Sequence, residues 1–598
     1  MVSFQLVCAG FLVCSSAATW GAGTDWLGPT AAVLDPDGKT LYLACERARQ
    51  IAIVDLRARE LIRSYRLKDS PTGLMLGGVP SRLVVTCSGK QNVILCLDPR
   101  TGRVLGQWPA GNGVCSPVGA ASPNRIYVCN RYDGTVSLMD TISGRELARM
   151  AADRQPVALS LSPETGILAV ANLLPSGPAN KTVVQAIVSL VNLEGFRKQT
   201  SVSLPNGSTS VRSLAFHPKR DLCAVVHNIA RFQVPTTQVE NGWMNVSALS
   251  LLTTEPPTLR ATVMLDEPWR GAANPSSVAW TPDGQKLCIT HAGTHELSVI
   301  DFPGLEGRLA NERKGKLVAD LDFLKGIRNR VKLGGNGPRA MALSHGVAYV
   351  AEFFSDSVTA VDLSSSSMIY TIPLANGDSE DRERAGERVF NDATLCHQAW
   401  QSCATCHPDG RADGLNWDLL NDGIGNPKNT KSLLLATQTP PAMSLGGRAT
   451  ASAAIRAGFR HILFSSQSED VVGTVGTYLV SLKPVPSPYL VQGRLSSAAR
   501  RGRRIFAQGG CIMCHPPGLF TDQNSYDVGT AGPSDKQSDK FDTPSLVELW
   551  RTAPYLHDGS AKTIHDVLTT KNHADKHGTT SRLSTGQLND LTIYLLSL

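Results

Sequence analysis

Beyond its first residues the chain has no apolar run near the ~20 residues a membrane-spanning helix needs, and no dense tract of Lys and Arg. The first lack leaves no transmembrane helix in the mature chain. The second, with 58 basic against 51 acidic residues and a net charge of +7 over 598 residues, falls short of a nucleic-acid footprint. No basic residue precedes Lys39, and no methionine follows Met513. With 42% hydrophobic and only 18% charged residues the chain is not disordered, and its length asks for several domains, each with its own core.

What is present in quantity is cysteine and histidine, 14 and 13 respectively. Four of the cysteines lie in two Cys-x-x-Cys-His strings, Cys403 to His407 and Cys511 to His515, a string that reads as c-type haem attachment. Two thiols three positions apart form thioethers to the two vinyl groups of one haem, and the adjacent His falls under the iron. Near the start, the mostly apolar run Val2 to Val13 followed by Ser16-Ala17-Ala18 reads as an export signal over residues 1–22, without the usual basic n-region. Covalent haem is attached outside the cytoplasm, so both features point to a periplasmic or exported protein.

The first two thirds repeat. A turn such as Asp35-Pro36-Asp37-Gly38 leads into a β run, a polar hairpin and a second β run that ends in an apolar residue plus Asp or Asn. These endings include Val54-Asp55, Leu97-Asp98, Met139-Asp140, Val191-Asn192, Ile300-Asp301 and Val361-Asp362. The early spacings of 43 and 42 residues match a four-stranded propeller blade. About seven blades are expected over residues 25–374, stretched by insertions at Leu173 to Lys181 and Gly304 to Lys332. Cys45, Cys87 and Cys129 recur every 42 residues, a structural slot for buried thiols. The five histidines here, at 217, 227, 291, 295 and 345, form no metal-like cluster.

The last third repeats differently. Arg384-Ala385-Gly386-Glu387-Arg388-Val389-Phe390 answers Arg500-Arg501-Gly502-Arg503-Arg504-Ile505-Phe506, each an amphipathic helix leading into a haem string. Asn429-Thr430-Lys431-Ser432-Leu433 answers Asp542-Thr543-Pro544-Ser545-Leu546, and Tyr478 to Leu482 answers Tyr594 to Leu598. Two tandem all-α cytochrome c domains are therefore expected, at 381–482 and 493–598, joined by the Pro-rich linker 483–492. The iron ligands are His407 and His515, with Cys403, Cys406, Cys511 and Cys514 holding two covalent haem c groups. For the sixth position, aligning the copies on Gly447 and Gly559 places His461 and His573 at the same offset of 14 residues. His577 competes in the second copy and Met443 in the first. Tyr555 and His557, just before the anchor glycine, are placed to bond near a propionate or ligand. Cys396 has no assigned role.

The β repeat resembles the YVTN or surface-layer type of propeller, as in Tyr349-Val350-Ala351 followed by Ser357 to Leu363. Residues 381–598 resemble the bacterial di-haem cytochrome c peroxidase superfamily, including its methylamine-dehydrogenase-maturation branch. The motifs that carry this are Cys403 to Pro408, Cys511 to Pro516, Thr552-Ala553-Pro554-Tyr555-Leu556-His557-Asp558-Gly559-Ser560 and the closing helix Asp590 to Leu598. The resemblance implies one haem that stores or relays an electron and a second whose distal side reduces peroxide. It also implies a catalytic acid after the distal segment of the first copy, where Glu469 is the nearest carboxylate. The chain departs from the family where Met is usual near Lys571 to His573, and where Ser444 to Arg448 stands in place of the first domain's Trp-Asp-Gly-Arg; Trp400, Trp417 and Trp550 are core or relay residues. The expected activity is a periplasmic peroxidase-like oxidoreductase that passes electrons between two haems and exchanges them with a small cytochrome or cupredoxin, with hydrogen peroxide as a possible substrate and the propeller as docking scaffold. The alternative is a non-catalytic electron-transfer or surface-binding cytochrome with both irons six-coordinate.

Overall fold

Each β repeat holds two runs that are apolar on both faces, such as Thr40–Cys45 and Gln50–Asp55, and one polar run, such as Glu60–Arg66. Strands buried on both faces must be sandwiched between neighbouring sheets, and polar strands must lie outermost. The computed structural model, which describes residues 26–598 apart from 79, 235–243, 313–315, 376–379, 419–425 and 537, arranges them in that way. Seven antiparallel sheets follow in chain order at residues 29–66, 70–109, 114–151, 156–203, 208–264, 275–332 and 338–373. Within each, strands are ordered as in the sequence, and the first strand packs against the first strand of the next sheet. The last, Pro338–Ser344, returns to the first, Pro29–Leu34, closing a seven-bladed propeller. The expected signal, residues 1–22, lies outside the described residues, among which no helix is long and apolar enough to cross a membrane.

The larger insertion has a structural role. After the third strand of blade 6 the chain forms helix α1 (Phe302–Asn311), adds Leu317–Val318 in parallel to the edge of blade 5, and returns as the fourth strand of blade 6, Arg328–Lys332. The thiol slot is explained by register. Cys45, Cys87 and Cys129 each face the start of the inner strand, opposite Pro29, Pro71 and Cys115. In blades 4, 6 and 7 the same place holds Asn172, His291 and Glu352, each bonded to Ser or Thr on the third strand. The slot thus accepts either a small apolar thiol or a satisfied polar group.

Among the described residues no strand is shared between the first and last blades, so closure rests on side chains. The carboxylate of Asp356 accepts from the N–H groups of Leu27 (2.9 Å) and Gly28 (2.8 Å), and is followed at 3.7 Å by Arg384. Arg384 belongs to helix α2 (Arg382–Asn391), is buried, donates to the Phe353 carbonyl and lies over the rings of Trp26, Phe353 and Phe354.

From α2 onward the chain builds two helical units. The elements are α3 (Cys403–Cys406), α4 (Ala451–His461) and α5 (Glu469–Ser481) in the first, and α6 (Ser497–Gln508), α7 (Ile564–Leu568) and α8 (Thr585–Leu596) in the second. Helix α2 crosses α5 as α6 crosses α8, and both crossings are made at a glycine. A Cβ on Gly386 would lie 1.9 Å from the Thr474 carbonyl oxygen, and one on Gly502 would lie 2.0 Å from that of Asp590. Phe390 with Tyr478 (5.2 Å) and Phe506 with Tyr594 (5.4 Å) repeat the aromatic contact beside each crossing. The units are not purely helical, since each also holds a two-stranded ladder: Asn416–Trp417 with Lys428–Asn429, and Ser525–Tyr526 with Phe541–Asp542. These ladders fold back the long excursions that follow the haem strings.

Because the added methyl meets backbone rather than a movable side chain, Gly386→Ala and Gly502→Ala should each destabilise by about 1–3 kcal/mol or more in denaturant unfolding. Gly476→Ala in α5, where a Cβ meets nothing within 4 Å, should instead raise stability by roughly 0.5–1 kcal/mol.

Candidate functional site

Both Cys-x-x-Cys-His strings are held in the same way. His407 sits just past α3 and its Nδ1–H donates to the Arg411 carbonyl at 2.9 Å; His515 donates to that of Phe520 at 2.9 Å. A carbonyl can only accept, so this bond fixes the tautomer and leaves Nε2 as the ring nitrogen free for a metal. Burial lowers the affinity of both rings for a proton, which keeps them neutral as ligands must be. The four thiols of the strings are unbridged and half-buried. Two thiols and one oriented imidazole in each unit fit a covalently attached haem.

Beyond these residues the structure revises the expected ligand set. The loops before α4 and α7 superpose in backbone conformation with Met443 (φ 76°) matching Leu556 (φ 74°), and Gly446 (φ 67°) matching Gly559 (φ 59°). The bridges Ala442 to Arg448 and Tyr555 to Ala561, and the capping residues Thr450 and Thr563, follow the same register. The repeat therefore aligns on Gly446, not Gly447, and the equal offsets of His461 and His573 dissolve. Helix α4 is 11 residues long and α7 only 5, so the register slips between them. Counted back from the caps Ser468 and Ser584 of the closing helices, the residue that answers His461 is His577.

His577 is half-buried, its buried Nδ1 has no partner among the described residues, and burial together with the nearby His515 pulls it down to about 4. His573 is exposed in a short turn, and His461 is exposed at the end of α4. Met443 is half-buried in its left-handed corner. Glu469, expected as the acid, is exposed in the first turn of α5 and bound at 2.7 and 2.8 Å by Arg456, which holds it below the usual Glu range. That is a surface ion pair, unsuited to holding a proton.

A carboxylate that sequence reasoning missed is Asp413, 1% exposed. It accepts from the Trp417 indole N–H (2.9 Å) and the Leu415 N–H (3.0 Å), lies near Cys406, and burial pushes it up to about 6. Trp417 packs beside Cys406, while Trp400 fills the apolar contact with blade 5. Cys396 packs among Phe390, Phe459 and Tyr478 as a core residue. Tyr555 donates to the Leu549 carbonyl at 3.1 Å, and His557 binds Asp535 at 2.8 Å while stacked 3.7 Å from Phe541.

The two units meet along a seam where, in three pairs, the first supplies the cation and the second the anion: Arg411 with Glu548 (2.7 and 2.9 Å), Lys428 with Asp535 (2.9 Å) and Lys431 with Asp542 (2.6 Å). The propeller clasps the first string directly. Asn245 Nδ2 donates to Gln401 (2.8 Å) and to the Cys406 sulfur (3.5 Å), and Asn274 bonds both Ser402 and Thr405. Asp409, in a left-handed turn just past His407, meets Arg131 and Arg212 of the propeller and Arg551 of the second unit (3.2 Å). These cations hold its carboxyl well below the usual range.

No family model matches the chain. Hydrazine synthase subunit gamma of Kuenenia stuttgartiensis is 30% identical over 288 residues, 36% of this chain and 77% of the relative. The chain belongs to the di-haem cytochrome c peroxidase superfamily. Within this superfamily the methylamine utilization protein MauG of Methylophilus methylotrophus is 26% identical over 247 residues, 33% of this chain and 73% of that protein. A solved structure of Kuenenia stuttgartiensis hydrazine synthase, 19% identical, covers 59% of this chain and 99% of its own at a TM-score of 0.52, a likeness of fold.

Asp409→Asn strands Arg131 and Arg212 without an anion and leaves Arg551 only Glu548 at 3.9 Å, and should cost on the order of 3–5 kcal/mol in unfolding free energy. Asp413 gives a pH signature. Its folded value is raised, so its contribution is complete below the ordinary Asp range and is lost as pH rises towards and through about 6. At about 1.4 kcal/mol per unit, the parent should lose on the order of 3 kcal/mol over that window, and Asp413→Asn should flatten the slope in urea unfolding.

Proposed function

We propose that the protein is a periplasmic di-haem c-type oxidoreductase of the peroxidase kind, with 381–482 and 493–598 as tandem cytochrome c folds. The observation that carries this is the shared setting of His407 and His515, each tied through Nδ1 to a backbone carbonyl within a copy of one helical scaffold. Cys403 and Cys406 would hold one haem covalently, Cys511 and Cys514 the other. When bound, haem c supplies an iron that takes or gives one electron and, at an open axial position, reduces peroxide.

The chain's own residues make the two sites unequal. His577, half-buried near His515 with a buried ring nitrogen that lacks a partner among the described residues, would be the residue to hold the second iron's sixth position, which would suit that site to relaying electrons. The first site has Asp413 beside its thioether edge, a carboxyl whose raised value lets it hold or release a proton near neutral pH. Around it Asn245, Met244 and Trp417 keep water from the Cys406 edge. The remaining propeller surface would dock the redox partner, a small cytochrome or cupredoxin. The common cap register of His461 and His577 favours a second reading, in which both irons are six-coordinate and the chain only carries electrons.

Spectra of the purified protein separate these readings. A ligand-accessible high-spin haem that consumes hydrogen peroxide is expected; two low-spin haems in every redox state without peroxide consumption would return the chain to the carrier reading. His577→Ala should convert one low-spin haem to a form that binds added imidazole, with covalent haem still at two per chain, and an unchanged spectrum removes His577 from the ligand set.

A further inference from the structure

The seam between the helical units carries more positive charge than its carboxylates neutralise. Arg411 is matched by Glu548, while Asp409 serves Arg131, Arg212 and Arg551 together. Arg154, which reaches in from the loop between blades 3 and 4, has no carboxylate within ion-pair distance among the described residues. It donates only to the carbonyls of Pro175 (3.1 Å) and Arg551 (3.4 Å). Its guanidinium lies where the units face each other: a Cβ on Gly414 of the first would meet Arg154 Nη1 at 2.7 Å and Pro554 Cδ of the second at 3.7 Å. The nearest acid, Asp413, is already occupied by Trp417 and Leu415.

Two further donors beside it lack acceptors. The indole N–H of Trp550 and Nε of Arg551 are buried with no partner among the described residues, and the Arg551 side chain is only 4% exposed. Both side chains border Tyr132 of the propeller, Trp550 at 5.3 Å and Arg551 at 5.1 Å. The half-buried Arg154 guanidinium thus lacks an anion, and planar carboxylates are the groups such a fork binds best. A haem brings two of them.

We propose that Arg154, with the Trp550 indole N–H and the Arg551 guanidinium, receives the propionate carboxylates of a haem at the seam, so that the propeller itself supplies part of the cofactor site. The inference rests on the reading that both strings carry haem. It makes Arg154 a positioning residue and the source of a charge that favours the reduced iron, since a fixed cation disfavours the extra positive charge of the oxidised state.

Spectroelectrochemical titration of the haem-loaded full chain tests this. In Arg154→Gln one haem, not both, should titrate lower, with a roughly tenfold rise in its oxidised-to-reduced ratio at fixed potential, about 59 mV for a one-electron couple. Trp550→Phe, which removes only a donor, should shift the same haem less and stands in if Arg154→Gln does not accumulate. Arg197→Gln, on the exposed outer strand of blade 4, should change nothing. Parent-like potentials in both seam variants overturn the proposal. So does a parent potential that moves with added acetate, because a free carboxylate then occupies the seat. A haem count below two per chain instead removes the underlying reading.

Discussion

The architecture turns on Asp409. One carboxylate, two residues past His407, is shared by arginines from two propeller blades and from the second helical unit. Three parts of the chain with separate cores are thereby referred to one point. Because Arg131 and Arg212 have no other carboxylate partner among the described residues, and Arg551 has only Glu548 at 3.9 Å besides, the three contacts are not independent. Asp409 lies in the turn just past His407, so the setting of that histidine and the docking of the propeller meet in one short segment.

That coupling explains the asymmetry between two copies of a single fold. The first string is enclosed by Asn245, Asn274 and the apolar contact around Met244 and Trp417. The second is carried away from the propeller, with Met513 of its string 76% exposed. A duplicated scaffold thus acquires two environments without changing its helix crossings, since the difference comes from what lies outside each unit.

Much of this was legible in the sequence. Period, turn residues and alternating burial gave seven blades, because strand pattern and blade length are local properties. The duplication was legible from Gly386 and Gly502, each preceding Phe at the same distance, and the structure supplies the reason in the two backbone contacts. Register across a length change was less legible: α4 and α7 differ by more than a turn, so counting from one glycine paired His461 with His573 and left His577 as the competitor, whereas counting back from the caps of the closing helices pairs His461 with His577. Asp413 was not legible, since nothing in Ala412-Asp413-Gly414 marks its burial, which depends on Thr209 and Trp417. Arg154 was equally silent, one arginine among many in blade loops, with its surroundings supplied by residues some 400 positions away.

The propeller's manner of closure has a consequence for how the protein is made. Each blade consists of consecutive strands, so among the described residues no sheet hydrogen bond joins the last blade to the first; Asp356 does so with the N-terminal amides, a shared apolar core backs it, and Arg384 follows. A chain emerging N-terminus first has all seven blades, and with them Asp356 and that core, in hand before Arg384 and Asp409 exist. The ring can therefore close as soon as blade 7 is complete, and the helical units that follow are seated on a ring already joined, with Arg384 and Asp409 bracing it.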